Sequence, residues 1–594
     1  MRPLPCVLPL LVIALAAAPG GASEWAGRVV DTAGAPVAGA MVTAWRGDPA
    51  QHTTVFTRDD GAYALPLPDG DGALGLRVRR PGFRDLRVER ASAQQAAVLR
   101  VERETDPYAL ADALPANRWY ALVLERIDDA AQREELVRQC TYCHQQGSHQ
   151  TRVQRSEEQW EKVLDLMGRM GGMVSADLRA KIPQLFNETY DPAYAVPRLT
   201  ANLQADELAP APAARRARVD EWELGGRASM QHDLVVHPDG RIYSVDMQQD
   251  QLFRLDPSQP DGTRSAWTLP RGDLPLGGVF ATTGQPVPPN TNAHVGPHSL
   301  QVAPDGSLWI TLALGNQLAR FDPATETFTT HALRWGYYPH TLRFDARGRI
   351  WYTIAASNHL GMFDPKSGES REIRLPAPSL AQDVVLRLMP AFLWLGRHVD
   401  LRGAAAQSEG VSVPIPYGVD VAPDGGVWFS QLNAHRIGRM DPASFEVEIV
   451  ETPFPAPRRM RFDSQGRLWI PSFSSGKLAR FDLATRAFRT WDIPIEPLGS
   501  DVPYALNVDR RTDTVWICGT NSDTLIRFEP QTEAFTVYPL PTRVTYTREI
   551  DFDAEGRVWT SNSNAPAWQI ETGIPKVIRL DPEWEARAAR LAGR

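Results

Sequence analysis

PYGVDVAPDGGVWF, residues 416–429, determines the architecture of this chain, because its pattern recurs along the C-terminal two-thirds. In each unit a polar or aromatic residue, usually after Pro, opens a strand, a tight turn follows, and the next strand carries an aromatic residue. The openers are His232, His298, His340, Tyr417, Arg458, Tyr504 and Arg548. The strand aromatics are Tyr243, Trp309, Trp351, Trp428, Trp469, Trp516 and Trp559. Seven such units with four short strands each predict a mostly β fold, a seven-bladed β-propeller.

The ring of blades is expected to span residues 219–583, followed by a C-terminal tail over 584–594. Segment 219–224 looks like the outer strand of the other units and is expected to be the fourth strand of the last blade. That pairing would join the ends of the ring and remove an exposed sheet edge. Two units are longer than the rest, and their extra segments, 268–295 and 375–413, predict long loops on one rim that can cover a site.

The openers are the candidate catalytic or ligand-binding residues of the propeller. Because each one starts an innermost strand, we expect all of them at one end of the central channel. We expect His232, His298 and His340 on one side and the tyrosines and arginines on the other. Three imidazoles can hold a metal, and two guanidinium groups can hold an anionic or oxygen-rich ligand. The alternative is an ordinary polar lining of a wet channel.

The remaining histidines of the propeller divide into two groups. His294 lies in a long loop just before an opener, so it can join the site. We expect surface positions at turns or outer strands for His237, His331, His359 and His435.

A second motif, Cys140-Thr141-Tyr142-Cys143-His144, has the C-x-x-C-H spacing of a covalent c-type haem site. Two thiols at this spacing can form thioethers to one porphyrin, and the adjacent His144 is then the proximal iron ligand. The alternatives are a zinc knuckle, a redox-active dithiol and a chance loop. A zinc knuckle needs a second ligand pair, and the other two cysteines, Cys6 and Cys518, do not form one. Cys518 is predicted to be a buried strand thiol.

Residues 103–200 around this motif are expected to form a small helical monohaem cytochrome c domain. Segments 128–140 and 156–171 have helical spacing of apolar residues, and Ser156 with Gln159 predicts a capping box. The sequence around Trp160 resembles other short haem domains fused to propellers, and this resemblance implies Met167, seven residues later, as the sixth iron ligand. The alternative ligands are Met170, Met173 and His149, and simple core packing is the other explanation. Residues 201–218, rich in Ala, Pro and Arg, predict a linker.

The N-terminus predicts export. Arg2 precedes an apolar run over 4–18 and a small-residue cleavage site before Ser23, so residues 1–22 are expected to be a signal peptide. Haem c is attached on the outer side of the bacterial inner membrane, which predicts a periplasmic location. The apolar run is too short and too interrupted by proline for a membrane span, and we expect none elsewhere. The net charge of −8, without long runs of one sign, gives no reason to expect a nucleic-acid partner.

Residues 23–102 are predicted to be a separate β domain. Alternating apolar residues and Gly, Pro and Asp turns indicate short strands. The segments 25–31, 34–40 and 57–63 resemble the carboxypeptidase regulatory-like domain, which implies a transthyretin-like β-sandwich. This region has no nucleophile or metal cluster, so we expect it to act as a spacer or docking module.

The propeller units resemble those of virginiamycin B lyase, a family that linearises streptogramin B antibiotics, over residues 219–583. In that family two Pro-His units and nearby glutamates hold magnesium and assist ring opening. His298 and His340 match the histidine pattern, whereas Tyr338, Ile354 and Ala355 stand where the resemblance implies acids. Among the seven units, Asp246 alone is an acid three residues after the strand aromatic.

Three functions follow as hypotheses. The favoured one is a periplasmic haem c protein whose propeller binds and oxidises a small molecule and whose haem passes electrons to a periplasmic electron carrier. Covalent fusion would raise the effective concentration of the two sites. The second is a redox-neutral carbon–oxygen lyase or hydrolase that uses Mg²⁺ or another divalent metal in the propeller. The third is a non-catalytic ligand sensor or scaffold.

Overall fold

The protein has three parts in the computed structural model, which describes residues 24–203, 208–259, 262–281, 291–396, 398–399 and 413–592. The predicted signal peptide and parts of both predicted long loops lie outside these residues. The described chain is mostly β, with one group of helices between the N-terminal strands and the propeller. Among the described helices, none combines the length and apolar composition that crossing a bilayer requires.

The N-terminal part is a β-sandwich, as the sequence predicts. Its elements are β1 (Glu24–Asp31), β2 (Met41–Gly47), β3 (Ala50–Phe56), β4 (Ala62–Pro66), β5 (Gly75–Arg79), β6 (Leu86–Val88), α1 (Ala93–Ala96) and β7 (Val98–Val101). Strands β4-β1-β7 form one sheet, and β3-β2-β5-β6 form part of a second. Alternate residues such as Val29, Leu65, Leu76 and Leu99 are buried in one hydrophobic core of this part, which is the pattern of a strand with one buried face.

The middle part is helical. Its helices are α2 (Pro107–Asp112), α3 (Ala116–Leu124), α4 (Ala130–Cys140), α5 (Glu157–Arg169), α6 (Ala176–Thr189) and α7 (Pro192–Thr200). The predicted capping box at the start of α5 is present, because Ser156 and Gln159 exchange hydrogen bonds with each other's backbone. Trp160, Phe186 and Tyr190 pack edge to face in the helical core. The helices are therefore confirmed, while their identity as a cytochrome c domain stays a prediction.

Seven four-stranded antiparallel blades follow, as predicted. The strands of blades 1 to 3 are β9 (Gln231–Val236), β10 (Ile242–Asp246), β11 (Gln251–Asp256), β12 (Thr263–Thr268), β13 (Pro297–Val302), β14 (Leu308–Leu312), β15 (Gln317–Asp322), β16 (Thr327–Ala332), β17 (Pro339–Phe344), β18 (Ile350–Ile354), β19 (His359–Phe363) and β20 (Ser370–Arg374). Blades 4 and 5 contain β21 (Pro416–Val421), β22 (Val427–Gln431), β23 (Arg436–Met440), β24 (Val447–Glu451), β25 (Arg461–Phe462), β26 (Leu468–Ser472), β27 (Lys477–Phe481) and β28 (Phe488–Asp492). Blades 6 and 7 contain β29 (Pro503–Asp509), β30 (Thr514–Gly519), β31 (Thr524–Glu529), β32 (Ala534–Pro539), β33 (Asp551–Phe552), β34 (Val558–Ser561), β35 (Lys576–Asp581) and, from before the first blade, β8 (Arg218–Glu223).

The ring closes through β8, as the sequence predicts, because β8 pairs with β35 and completes blade 7. The other edge of β8 is covered as well. It pairs with β3 of the sandwich, which joins blade 7 and the sandwich into one eight-stranded sheet. The predicted linker is packed rather than free where it is described, since Ala214 and Ala217 are buried. Extending the sheet this way leaves no open edge on β8.

Two regions predicted to be irregular contain helices. The second long loop holds α8 (Leu380–Gly396), and the predicted tail holds α9 (Trp584–Ala592). Leu393 of α8 packs with Phe280 of the first long loop, and Tyr338 packs against the same cluster. The two insertions therefore meet on one rim, beside the start of blade 3.

A β-bulge opens the innermost strand of five blades. In blade 4, Pro416 faces Gln431 and Val419 faces Phe429, so two residues oppose one on the partner strand. The same shift occurs in blades 1, 2, 3 and 6. In blades 5 and 7 the opener precedes a two-residue strand. Because a bulge re-aims side chains, both the opener and the residue after it become candidates for lining the channel.

Candidate functional site

The seven openers form a closed, buried ring at one end of the channel, called here the channel ring; each is at most 3% exposed. The imidazole centroids of His232 and His298 are 3.7 Å apart, and those of His298 and His340 are 3.9 Å apart. The ring of Tyr417 follows at 4.0 Å from His340, and its hydroxyl is hydrogen-bonded to that of Tyr504. The predicted convergence, with imidazoles on one side, is therefore what the structure contains.

Two arginines complete the channel ring. Arg548 Nη1 donates to the Tyr504 hydroxyl at 2.8 Å and to His232 Nε2 at 3.2 Å, which links the first and last openers. Arg458 Nη2 donates to the Tyr417 hydroxyl at 2.7 Å. The Arg458 guanidinium also lies 3.5 Å from the centroid of the Tyr504 ring, so cation–π attraction offsets part of the cost of burying its charge.

Residues that follow three openers form a buried ionic cluster against the channel ring. Arg459 Nη1 donates to Asp233 Oδ1 at 2.8 Å and also to Glu549. Arg461 Nη2 donates to Glu549 Oε1 at 2.8 Å. Asp233 Oδ1 accepts from His232 Nδ1 at 2.9 Å, which fixes the tautomer of that imidazole. This cluster is not among the sequence predictions, although a charged residue stands directly after an opener at positions 233, 459 and 549.

Burial and neighbouring cations set the protonation states of the channel ring. Burial, helped by Arg548, lowers the pKa of His232 to about 3. Burial also lowers the pKa of His298 and His340 well below the ordinary value, so all three imidazoles are neutral at pH 7. Burial raises the pKa of Tyr504, but the nearby arginines, Arg548 above all, outweigh it and lower that pKa below its usual value. The channel ring thus favours negative charge on the Tyr504 oxygen.

One group of side chains has metal-ligand geometry. The candidate donor atoms of His232, Asp233 and His298 lie within 4.8 Å of one another, and all three residues are buried. His298 Nδ1 has no hydrogen-bond partner among the described residues. Arg548 and Arg459 donate to His232 and Asp233, however, so a divalent cation would have to displace two guanidinium groups. The two guanidinium groups beside these residues therefore suit an anionic ligand better than a cation.

The C-x-x-C-H segment, residues 140–144, lies directly on the channel ring. Arg548 Nη2 donates to the Cys143 carbonyl oxygen at 2.9 Å, and the Tyr546 hydroxyl donates to the Thr141 carbonyl oxygen. The Tyr142 ring contacts that of Tyr417 edge to face, with centroids 6.2 Å apart. The same arginine side chain therefore contacts both the segment and the openers.

The residues after the segment anchor it to blades 6 and 7. The Gln145 backbone N–H donates to Asn564 Oδ1 at 3.0 Å, and its side-chain amide donates to the Thr520 carbonyl oxygen at 2.8 Å. The Gln146 N–H donates to Asn521 Oδ1 at 3.0 Å. These contacts hold the segment in one position over the channel.

The residues predicted to hold haem are compatible with that role. Cys140 and Cys143 are free thiols and partly buried, and burial raises the pKa of Cys140 to about 12, so its thiol is protonated. His144 Nδ1 is hydrogen-bonded to the Gln145 carbonyl oxygen at 3.0 Å, which orients the ring with Nε2 as the remaining ligand atom. Met167 lies half-buried in the last turns of α5. The structure leaves the choice among the methionines and His149 a prediction.

Other predicted residues lie outside the channel ring. His294 does not join it, because Nδ1 is hydrogen-bonded to the Leu274 carbonyl oxygen and Nε2 contacts Arg271. Asp246 is buried and accepts backbone N–H groups of residues 230, 248 and 249, which is a structural role. The four histidines expected on the surface are half-buried instead: His237, His331, His359 and His435. Cys518 is a buried strand thiol, as predicted.

Comparison with known proteins finds one family model and several similar solved structures. The carboxypeptidase regulatory-like domain model matches residues 26–103. A streptogramin B lyase structure is 18% identical with a TM-score of 0.46, covering 61% of this chain and 97% of its own. Virginiamycin B lyase from Staphylococcus aureus is 16% identical with a TM-score of 0.46, covering 61% and 99%. The WD40 β-propeller domain of Doa1 is 10% identical with a TM-score of 0.41, covering 60% and 94%. No curated protein matches the chain by sequence. The likeness to the three solved structures concerns the propeller fold alone.

Proposed function

We propose that this chain is a periplasmic c-type haem protein whose channel ring binds a small anionic molecule and takes an electron from it. The observation that carries the proposal is the seating of the C-x-x-C-H segment on the channel ring, where Arg548 bonds both Cys143 and Tyr504. A ligand that touches this arginine would be close to any haem attached at the segment. Short separation is what electron transfer between two sites requires.

The residues present fit a covalent haem. Cys140 and Cys143 would carry the thioethers, and His144 would supply Nε2 to the iron. Helix α5 adds an apolar surface that its neighbours leave half-covered, at Val163, Leu164 and Met167. When bound, the haem would supply a one-electron acceptor. Export, inferred from residues 1–22, would bring the chain to the compartment in which such attachment takes place.

Anion binding is favoured by the donors of the channel end. Arg459 Nε and Nη2 and Arg548 Nε are buried and have no hydrogen-bond partner among the described residues. Leaving buried donors unpaired costs about 1–3 kcal/mol each, more for charged groups, so an acceptor ligand is stabilised there. The neutral imidazoles beside them add hydrogen-bonding capacity without adding positive charge. A phenol that also carries a carboxylate has the required chemistry.

Tyr504 can accept the proton that the substrate releases when it is oxidised. An anionic ligand that also carries a neutral hydroxyl becomes more acidic at that hydroxyl when it gives up one electron, and the hydroxyl proton can move to the Tyr504 oxygen when that oxygen is a phenolate. The Arg548 and Tyr417 hydrogen bonds stabilise the phenolate before the transfer. The substrate would therefore lose one electron and one proton, and a periplasmic electron carrier would receive the electron.

A redox-neutral, metal-assisted lyase is the second candidate. The metal-ligand geometry of His232, Asp233 and His298 favours it. The guanidinium groups on His232 and Asp233 weigh against it, as described above. Metal binding measured by calorimetry on the wild-type chain and a His298→Ala variant separates the two functions. Tight binding of Mg²⁺ or Zn²⁺ that is lost in the variant would favour the lyase.

The proposal is tested by expressing the full chain in a host with cytochrome c maturation. We expect one haem per chain that survives denaturing extraction, lost in Cys140→Ser/Cys143→Ser and retained in the control Cys518→Ser. An Arg548→Met variant is expected to keep the haem but lower its reduction potential, because a positive charge near the iron favours the reduced form. Folded wild-type protein without covalent haem would refute the proposal. An unchanged potential in Arg548→Met would refute the coupling of the two sites.

A further inference from the structure

A cavity of about 340 Å³ lies where the sandwich continues the sheet of blade 7, far from the innermost strand β33. Strands β2 and β3 of the sandwich, β5 beside them, and β8 and β35 of the blade all contribute to its lining. We propose that this cavity binds a neutral sugar ring of pyranose size. Its volume falls in the range of small-molecule sites. The inference is independent of the haem and of the channel ring.

The cavity has a flat aromatic floor. Trp45 lies opposite Gly75 on one neighbouring strand and His52 on the other. A Cβ on Gly75 would come within 2.0 Å of the indole, so the ring lies flat over this glycine, with one face against the sheet. The imidazole of His52 extends the floor, at 29° to the indole and 6.4 Å between centroids. The exposed side chain of Arg87 lies 4.7 Å over the indole and can move aside.

The polar walls carry charges that are already compensated. Arg77 Nη1 lies 3.4 Å from Glu571, and Lys576 Nζ lies 3.6 Å from Glu221. Glu223 accepts the Ala50 N–H at 2.9 Å and lies 3.6 Å from His52 Nε2. A charged ligand would have to break one of these pairs. A neutral ligand would not, which favours hydroxyl groups that both donate and accept.

Two buried atoms of the lining residues lack hydrogen-bond partners within the described chain: His52 Nε2 and Arg77 Nε. Burial lowers the pKa of His52 to about 4, so its imidazole is neutral at pH 7. A pyranose presents one apolar face of C–H groups and a rim of hydroxyls. The apolar face matches the indole of Trp45, and the rim matches the polar walls, including these two atoms.

The test is calorimetric titration of the full chain with methyl β-glucopyranoside and with N-acetylglucosamine, and with sodium glucuronate as the charged comparison. We expect saturable 1:1 binding of at least one neutral sugar at millimolar concentration, and weaker binding of glucuronate. Trp45→Ala should weaken binding about tenfold. The matched control is Trp335→Ala, which removes an indole that is 71% exposed and lies in the loop between β16 and β17, away from the cavity.

A second variant distinguishes the loss of the aromatic floor from damage to the fold. Trp45→Phe keeps an aromatic ring on Gly75 and should bind more tightly than Trp45→Ala, with an unchanged circular dichroism spectrum. Three results would overturn the proposal: no saturable binding of either neutral sugar to the wild-type chain, equal affinity in Trp45→Ala, or tighter binding of glucuronate than of both neutral sugars. None of these results would bear on haem attachment.

Discussion

Replacing Arg459 by Met should strongly destabilise the propeller, because it removes the central cation of the buried ionic cluster. Arg459 is fully buried, and its partners Asp233 and Glu549 are 1% and 5% exposed at their side chains. Met retains an apolar side chain of similar length, so the change tests the charge more than the packing. The two carboxylates lose the same partner but are not equally affected.

The expected loss of unfolding free energy follows from the partners that each carboxylate keeps in the variant. Glu549 keeps Arg461 at 2.8 Å and Arg343 at 3.5 Å. Among the described side chains, Asp233 keeps only the imidazole of His232, which is neutral at pH 7. The cost is therefore that of one broken buried ion pair, about 3–5 kcal/mol in the free energy of unfolding.

The assay is urea unfolding followed by the fluorescence of the blade tryptophans, with linear extrapolation of the unfolding free energy. The matched control is Arg439→Met, which removes a partly exposed pair with Asp424 at 3.2 Å and should cost at most about 1 kcal/mol. A loss for Arg459→Met no larger than that of the control would refute the reasoning. Adding Asp233→Asn to Arg459→Met should recover part of the loss, because a neutral amide costs less to bury than an unpaired carboxylate.

The pH dependence gives an independent check of the same pair. Burial raises the pKa of Asp233, but Arg459 outweighs it and holds that pKa below its ordinary value. A depressed pKa in the folded state stabilises the fold above the unfolded pKa, about 3.9, and this stabilisation is lost as pH falls through the folded pKa. The unfolded states of wild type and Arg459→Met titrate alike, so the gap between their unfolding free energies should narrow as pH falls from the Asp233 pKa of the variant, which burial without Arg459 raises, towards the depressed pKa of the wild type. A gap that stays constant from pH 7 to pH 3 would contradict the assignment to Asp233.

Two further predictions concern the channel end. Tyr504 should ionise below the usual tyrosine pKa of about 10. An ultraviolet titration of the wild type should therefore show a phenolate component below pH 10 that is absent from Tyr504→Phe, and identical titration curves would contradict this prediction. This phenolate should stabilise the fold fully above pH 10 and less as pH falls through the lower folded pKa. Gly147→Ala should loosen the C-x-x-C-H segment, because φ is +85° and the new Cβ would lie 2.1 Å from the Ala116 carbonyl oxygen. Limited proteolysis should cleave Gly147→Ala faster than Gly171→Ala, where φ is +96° and the new Cβ would meet no described atom within 4 Å apart from its chain neighbours. Equal cleavage rates would exclude the clash.

Local patterns predicted the architecture well. Openers, turns and strand aromatics recur at nearly constant spacing, and each blade depends mainly on contacts within itself and with its neighbours. The capping box at Ser156 and the closing strand at 219–224 are also local features, and both are present. Helix α8 was missed, because its apolar residues were interpreted as part of a long loop. Leu386, Leu393 and Gly396 of this helix are buried, and Leu393 packs with Phe280 on the rim.

Short-range patterns were enough to predict the sandwich, the seven blades, the channel-ring residues and the C-x-x-C-H motif. How these parts meet depends on contacts between distant residues. The pairing of β8 with β3, the seating of Cys143 on Arg548 and the ion pairs of Arg459 all join residues far apart in the chain. Such contacts depend on complementary strand edges and charges that become neighbours only after folding, so they cannot be predicted from the periodicity of the sequence.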